Sequence, residues 1–330
     1  MTDGFKALIA TAVGERDYEI SFKDITEDDL PDLPVLVEVD YSTVNYKDAL
    51  AITKKGRIIR RFPMICGVDI AGKVISSDDD RWQTGDEVIV NGFGISETEQ
   101  GAYTQRERLS GDWLVKLPDG LSARQAMAIG TAGYTAMLCV QALEDNGVKP
   151  DGGEILVTGA TGGVGSVATM ILAKLGYSVV AVTGRMEHEG FLKSLGAAEV
   201  IERAELDRDA KPMEKERWAG VVDAVGGKTL ATAIAQTKYG GTVTACGLAG
   251  GFALNSTVMP FILRGVKLIG IDSVMASLEK RNKAWQRLAK DIDHALLERL
   301  TTEISFSDLP SACADLLEGR TKGRMVVKIG

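Results

Sequence analysis

Histidine is almost missing from this chain: only His188 and His294 occur in 330 residues, and both stand in acidic, helix-like surroundings. They read as surface helix residues. The four cysteines (66, 139, 246 and 313) are scattered, with no Cys-X-X-Cys pair. A metal centre needs ligands at short spacings, and Cys66 has no histidine or second cysteine at a usable distance, so no catalytic or structural zinc is expected. The same scatter argues against a disulfide framework and suits buried thiols in a reducing cytoplasm. Positive charge is short as well. A net charge of −8 leaves no general basic face for nucleic-acid phosphates. No run near 18 apolar residues offers a membrane span, and the opening MTDGFKALIATAVG lacks a long apolar core followed by a cleavage site. Neither a membrane anchor nor a signal peptide is therefore expected. Low-complexity tracts and internal repeats are missing too. These lacks leave a soluble cytoplasmic chain, 45% hydrophobic and 25% charged, able to build a full core. Its length suits about two domains.

What is present centres on residues 154–166, EILVTGATGGVGS. Ile155 to Val157 read as a buried strand. Glycines at 159, 162, 163 and 165 read as a turn, and Val167, Ala168, Ile171, Leu172 and Leu175 recur at helical spacing. Strand, glycine turn and helix are the parts of a dinucleotide-binding unit. The glycines let the backbone approach a pyrophosphate, which meets the positive end of the helix. No Lys-Ser or Lys-Thr pair follows the last glycine, which speaks against a Walker-type phosphate loop. The second strand of such a unit would end at Thr183. An NAD site usually carries a carboxylate about 20 residues past the glycines, whereas this chain has Thr183-Gly184-Arg185. A hydroxyl, a flexible turn and a guanidinium suit a 2′-phosphate, which a carboxylate would repel. Arg203, after the third strand, is a candidate second cation. The bland reading keeps both arginines as solvated loop residues. NADPH is favoured over NADH.

Along the chain, residues 1 to about 120 hold short extended segments at 5–12, 35–44, 69–76 and 87–90, broken by Pro31, Pro34, Asp78 to Asp80 and Gly92 to Gly94. This part reads as β-rich. After Pro118 strands and helices alternate. Ser122 has the character of an N-cap for a helix from Ala123, and 134–144 reads as another helix. Strand-like runs follow at 155–158, 178–183, 199–201, 220–225, 242–246 and 266–271. Six strands with helices between them predict a doubly wound parallel sheet. From about Met275 a charged helix is predicted to lead to Phe306, with a last strand at 325–329. The expected domains are 1–122, 123–272 and 273–330. The last is a C-terminal segment that periodicity alone does not place.

Several motifs carry a family resemblance. They are Asn45-Tyr46-Lys47-Asp48, the run Gly67-Val68-Asp69-Ile70-Ala71-Gly72, Thr84-Gly85-Asp86-Glu87-Val88, and Thr158 to Gly165. On these the chain resembles the medium-chain dehydrogenases/reductases, in their zinc-free quinone-reductase-like branch. The stretches NYKDALAITKKGRIIRRFPMICGVD, GDWLVKLP, GTAGYTAMLCVQALEDNGV and ACGLAGGF are similar to the acrylyl-CoA reductase group, some of whose bacterial members are described as putative quinone oxidoreductases. The resemblance spans nearly the whole chain. It implies a GroES-like β-rich catalytic domain, a Rossmann domain that binds NADPH, a C-terminal return to the first domain, and a homodimer. Zinc enzymes of this fold have a cysteine near the Asn45 position and Gly-His-Glu where this chain has Gly67-Val68-Asp69.

With neither zinc nor a histidine base, oxidation of an alcohol has no evident means of activating the hydroxyl. Reduction of an activated C=C bond needs less: hydride to the β-carbon, donors that hold the developing enolate, and a proton at the α-carbon. Tyr46 is the leading candidate beside the nicotinamide, by cofactor contact or proton supply, against the reading of a packed tyrosine. Asn45 and Asp48 are candidates to orient its loop. Asn91 and Arg324 are weaker candidates for substrate donors, each with a purely structural alternative. By position the resemblance also implies cofactor contacts from Thr161, Gly162, Gly163 and Val164, and from Leu248, Ile262 and Ser273. Thr131 falls in a turn placed near the cofactor in that family, with no distinct chemical signal of its own. Finally, Lys54, Lys55, Arg57, Arg60 and Arg61 put five cations into eight residues of an acidic chain. They form either a solvated face or an electropositive rim for coenzyme A phosphates. The expected substrate is a short 2-enoyl-CoA, most naturally acrylyl-CoA reduced to propionyl-CoA. The alternatives are a quinone or enone reductase and a non-catalytic NADPH-binding protein.

Overall fold

The computed structural model describes residues 4–14 and 17–330. It divides into two compact units: residues up to 131 with 273–285 and 298–330, and residues 132–272 with 286–297.

The first unit opens with the strands β1 Phe5–Ala12, β2 Tyr18–Ile25 and β3 Val35–Thr43, then the short helix α1 Tyr46–Ile52. The strands β4 Met64–Ile65, β5 Asp69–Ser77, β6 Glu87–Asn91, β7 Arg106–Leu109 and β8 Val115–Lys116 follow. β3 shows why these residues form strands. Val35, Val37 and Val39 are fully buried while Glu38 between them faces out, the period-two pattern of a half-buried strand. β1 pairs with β2 and β4, and β3 with β5 and β7, all antiparallel. The stretch 18–25 was not legible as a strand, because its exposed Glu19, Phe22, Lys23 and Asp24 break the alternation.

Helix α2, Ala123–Asp145, leads out of this unit. Its length and composition would suit a membrane span, yet 89% of its apolar window is buried within the protein. Gly130, at φ 51° and ψ −165°, is not helical, so this stretch is two helices meeting at a kink, as the sequence predicts.

The second unit continues with β9 Glu154–Val157, α3 Gly163–Lys174, β10 Ser178–Thr183, α4 Glu189–Ser194, β11 Glu199–Glu202, β12 Trp218–Asp223, α5 Gly227–Ala235, β13 Thr237–Ala245, α6 Met259–Arg264 and β14 Lys267–Gly270. Its strands form one parallel sheet in the order β11-β10-β9-β12-β13-β14. Counted from β9 this is the doubly wound order in which strand order reverses between the first and fourth strands, and ligands bind outside the carboxyl ends there. Ile155, Leu156 and Val157 are wholly buried, as a strand covered on both faces requires.

The remaining elements are α7 Leu278–Asp291, α8 His294–Leu300, β15 Thr301–Ser305, α9 Leu309–Leu317 and β16 Arg324–Lys328. Residues 275–306 are thus not one charged helix. Asp293 starts a new helix by accepting from the Leu296 amide at 2.9 Å, and Thr301, Thr302 and Ile304 leave it as a strand parallel to β16. β16 pairs with β3, which joins these last strands to the sheet of the first unit. All four cysteines are free thiols, three of them buried.

Candidate active site

The glycine turn of the second unit closes tightly. Gly159 has φ 58°, the Ala160 amide donates to the Val182 carbonyl at 3.1 Å, and the Gly162 amide to the Gly159 carbonyl at 2.9 Å. A side chain at Gly165 would collide with the Gly159 carbonyl oxygen, so glycine there lets α3 start against the turn. Thr161 is buried, Gly162 is exposed, and Gly163 and Val164 are partly exposed at the helix start, where amides lack helical partners. Beside the turn, Thr158 donates its hydroxyl to Asp223 Oδ1 at 2.7 Å. The Gly226 amide donates to Asp223 Oδ2 at 2.8 Å. These bonds tie the ends of β9 and β12 at the point where strand order reverses. Burial pushes the Asp223 carboxyl up, opposed by the bonds from Thr158 and Gly226. Asp223 was missed from sequence, because its partner lies 65 positions away.

At the end of β10, Thr183 is buried and its Oγ1 accepts from the Arg185 amide at 3.0 Å. A Cβ on Gly184 would sit 2.9 Å from the guanidinium carbon of Arg203. The fold therefore lays Arg203 over this turn, with its side chain still 57% exposed and only Asp207, 4.0 Å away, as a described ion-pair partner. Arg185 is partly exposed on the same turn. Of the other residues named for the cofactor, Leu248 has its Cα 3.3 Å from where a Gly226 Cβ would stand and is 62% exposed. Ile262 projects from α6, 71% exposed.

In the first unit a buried polar network surrounds Asp69. Its Oδ1 accepts from Asn91 Nδ2 at 2.6 Å and from the Thr131 hydroxyl. Its Oδ2 accepts from Asn45 Nδ2 at 2.8 Å and the Thr131 amide at 2.9 Å. The Thr131 amide is one that the kink at Gly130 releases, so Asp69 caps the helix half that restarts there. A Cβ on Gly130 would lie 2.8 Å from Arg324 Nη2 and 2.9 Å from Asp69 Oδ2, hence glycine. Arg324 is 3% exposed; its Nε donates to the Ala128 carbonyl at 2.8 Å and its Nη2 to Thr43 Oγ1 at 2.9 Å and Asn45 Oδ1 at 3.3 Å. Burial lowers its pKa, and the charges of Asp69 and Asp48 raise it. Asn91 is equally buried, with its amide on Asp69.

The same network sets the entry to α1. Asp48 Oδ2 accepts from the Asn45 amide at 2.9 Å and from Asn45 Nδ2 at 3.2 Å, reaching back to the helix start. Its Oδ1 is buried without a partner. Burial, then the nearby Asp69 charge, push Asp48 up to about 7. Tyr46, the first residue of the helix, is 48% exposed. Lys47 beside it pairs with Glu97, and burial lowers its pKa. A further cation was missed from sequence. Arg281 is 1% exposed and donates to the carbonyls of Ala276, Asn91, Ser273 and Val274. Its guanidinium also lies 4.1 Å from the Phe93 ring centroid. It thereby fastens the turn after β6 to residues 273–276, and Ser273 contributes its carbonyl at 3.1 Å.

Zinc does not fit this network. Both Asp69 oxygens face N–H or O–H donors, and the neighbouring cation is a buried guanidinium. Among the described residues no three His, Cys, Asp or Glu side chains gather as a metal-holding group. His188 and His294 are half-buried at helix ends.

Two family models match the chain: the alcohol dehydrogenase GroES-like domain over residues 31–144 and the zinc-binding dehydrogenase over 163–290. The probable acrylyl-CoA reductase AcuI of Escherichia coli (strain K12) is 53% identical across 94% of this chain and 95% of its own. The acrylyl-CoA reductase AcuI of Ruegeria pomeroyi is 51% identical across 94% of each. The yhdH oxidoreductase from Salmonella enterica, solved in complex with NADP, is 51% identical and superposes with a TM-score of 0.96 over 98% of this chain and 100% of that one. The chain therefore belongs to the medium-chain dehydrogenase/reductase family, in its quinone oxidoreductase-like branch alongside the acrylyl-CoA reductases.

Proposed function

We propose that this protein reduces the C=C bond of a short 2-enoyl-CoA, acrylyl-CoA to propionyl-CoA, with NADPH and without metal. One observation carries the cofactor half: the Arg203 guanidinium lies over Gly184 beside Arg185, where an NAD site would hold a carboxylate. The relatives named as acrylyl-CoA reductases, 53% and 51% identical nearly end to end, support the substrate half.

NADPH, when bound, supplies a hydride for the β-carbon of the enoyl group. The chain's own residues do the rest. The amides of Thr161 to Val164 at the start of α3 hold the pyrophosphate, and Thr183, Gly184, Arg185 and Arg203 hold the 2′-phosphate. Leu248, Ile262 and Ser273 remain proposed contacts on the nicotinamide side. Tyr46, whose ring is half exposed, serves the substrate through its hydroxyl, by holding the enolate oxygen or by passing a proton to the α-carbon. Asn91 and Arg324, each 3% exposed, act through Asp69 and Asn45 by holding the loop that presents Tyr46.

A homodimer also belongs to this reading. Between residues 252 and 263 the second unit exposes Phe252 at 91%, Val258 at 65% and Leu263 at 55%. Exposed apolar side chains of this kind suit a partner surface, and β14 lies at one edge of the sheet.

Steady-state NADPH oxidation with acrylyl-CoA and with a simple quinone, for the wild type, Arg185→Ala and Tyr46→Phe, tests the proposal. Acrylyl-CoA is expected to be far the better substrate. Arg185→Ala should raise the KM for NADPH about tenfold while leaving that for NADH nearly unchanged, the loss of one charge-assisted contact. Tyr46→Phe should lower kcat. Efficient quinone turnover without acrylyl-CoA reduction would sink the substrate reading, and equal effects on NADPH and NADH would sink the role of Arg185.

A further inference from the structure

The basic run after α1 is not a uniform solvated face. Lys54 pairs with Asp17 at 3.0 Å, Arg60 approaches Glu97 at 3.8 Å, and Arg61 approaches Glu99 at 3.6 Å. Lys55 and Arg57 are exposed, and no carboxylate among the described residues pairs with either. They stand two positions apart on one short loop, in a chain of net charge −8.

They also sit on a fastened loop. The Gly56 amide donates to the Leu50 carbonyl at 3.2 Å, and a Cβ on Gly56 would lie 3.0 Å from the Leu50 Cβ, so the loop packs against α1. Ile59 is buried and Ile58 packs on the same core, which turns Arg57 and Arg60 outward. The Tyr18 hydroxyl donates to the Ala51 carbonyl at 2.6 Å, and the Tyr18 ring lies 5.2 Å from that of Phe62. The loop then returns toward the start of the helix: Glu97 meets both Arg60 and Lys47, the neighbour of Tyr46. Glu97 thus links the basic loop to the residue beside Tyr46, while Lys55 and Arg57 stay outside these pairs. The seven residues of α1 rise only about 10 Å.

A ligand suited to this layout is reactive at one end and anionic at the other, joined by a flexible arm. A neutral quinone has no anionic end. The phosphates of NADPH have the α3 amides, Arg185 and Arg203 in the second unit.

We propose that Lys55 and Arg57 form an anion subsite for the phosphate groups of the substrate's coenzyme A, with Arg60 at its inner edge; this rests on the enoyl-CoA reading above. Oriented cations on a fixed loop raise local anion concentration and steer association.

The test compares the wild type with the double variant Lys55→Gln, Arg57→Gln in the full chain. Two thioesters, acrylyl-CoA and S-acrylyl-pantetheine, share the reactive end and the arm, and the second lacks the phosphates together with the adenosine. The preference for acrylyl-CoA, as a ratio of kcat/KM, is expected to fall at least tenfold in the variant, through the KM for acrylyl-CoA. Free coenzyme A, titrated calorimetrically into each protein, should bind the variant at least tenfold more weakly. An unchanged preference, or a rise in the KM for NADPH instead, overturns the subsite. Equal affinity for free coenzyme A overturns it whatever the turnover shows. A wild type that binds coenzyme A through these residues yet reduces no thioester would instead contradict the proposed reaction, which separates the two failures.

Discussion

Asp48 has one oxygen on the Asn45 amide and the other buried without a partner, and it is pushed up to about 7 by burial. The ordinary value is about 4. Between these values the native chain holds a proton that the unfolded chain has lost. The contribution is full below the unfolded pKa and is lost as pH rises through the native one. From pH 5 to pH 8 the wild type should lose roughly 2 kcal/mol through this group. Asp48→Asn cannot ionise and should lose correspondingly less, which denaturant unfolding at pH 5, 6.5 and 8 would measure. Parallel pH curves for the two proteins would contradict the assignment. The sequence offers Tyr46 as the leading candidate beside the nicotinamide, with Asn91 and Arg324 as weaker candidates for substrate donors. Burial separates them: Tyr46 is half exposed, whereas Asn91 and Arg324 are 3% exposed and bonded within the fold. That difference was not legible, since the donors around Asp69 come from positions 45, 91 and 131. Arg203 was legible as a cation after a strand, but its contact with Gly184 depends on β10 and β11 being neighbours.

Among the elements, legibility followed burial pattern. The strands β9, β10 and β12 read well because each carries a short buried apolar run between turn residues. The glycine turn read well for a related reason, since a positive φ at Gly159 and the close approach at Gly165 both demand glycine. β15 failed, because its Thr301-Thr302-Glu303-Ile304-Ser305 run directly follows α8 and is largely exposed. Only its pairing with β16 explains it. The helix α1 went unread as a helix, although its motif was singled out for chemistry. Seven residues give too few turns for a periodic signal, and bonds from Asn45 to Asp48 hold it instead.

For the molecule as a whole, the proposed homodimer is tested at the exposed Phe252 and Val258. Light scattering at micromolar concentration should give twice the chain mass, and Phe252→Asp with Val258→Asp should give a monomer. A monomeric wild type would leave that surface without the proposed partner. The central claim is narrower: hydride passes from NADPH to the β-carbon of acrylyl-CoA. The most direct measurement is turnover with NADPH deuterated at C4 of the nicotinamide, followed by mass and NMR analysis of the thioester. The account predicts propionyl-CoA with one deuterium on the β-carbon and a solvent-derived hydrogen on the α-carbon. Propionyl-CoA without deuterium, deuterium on the α-carbon, or no reduced thioester at all would contradict it.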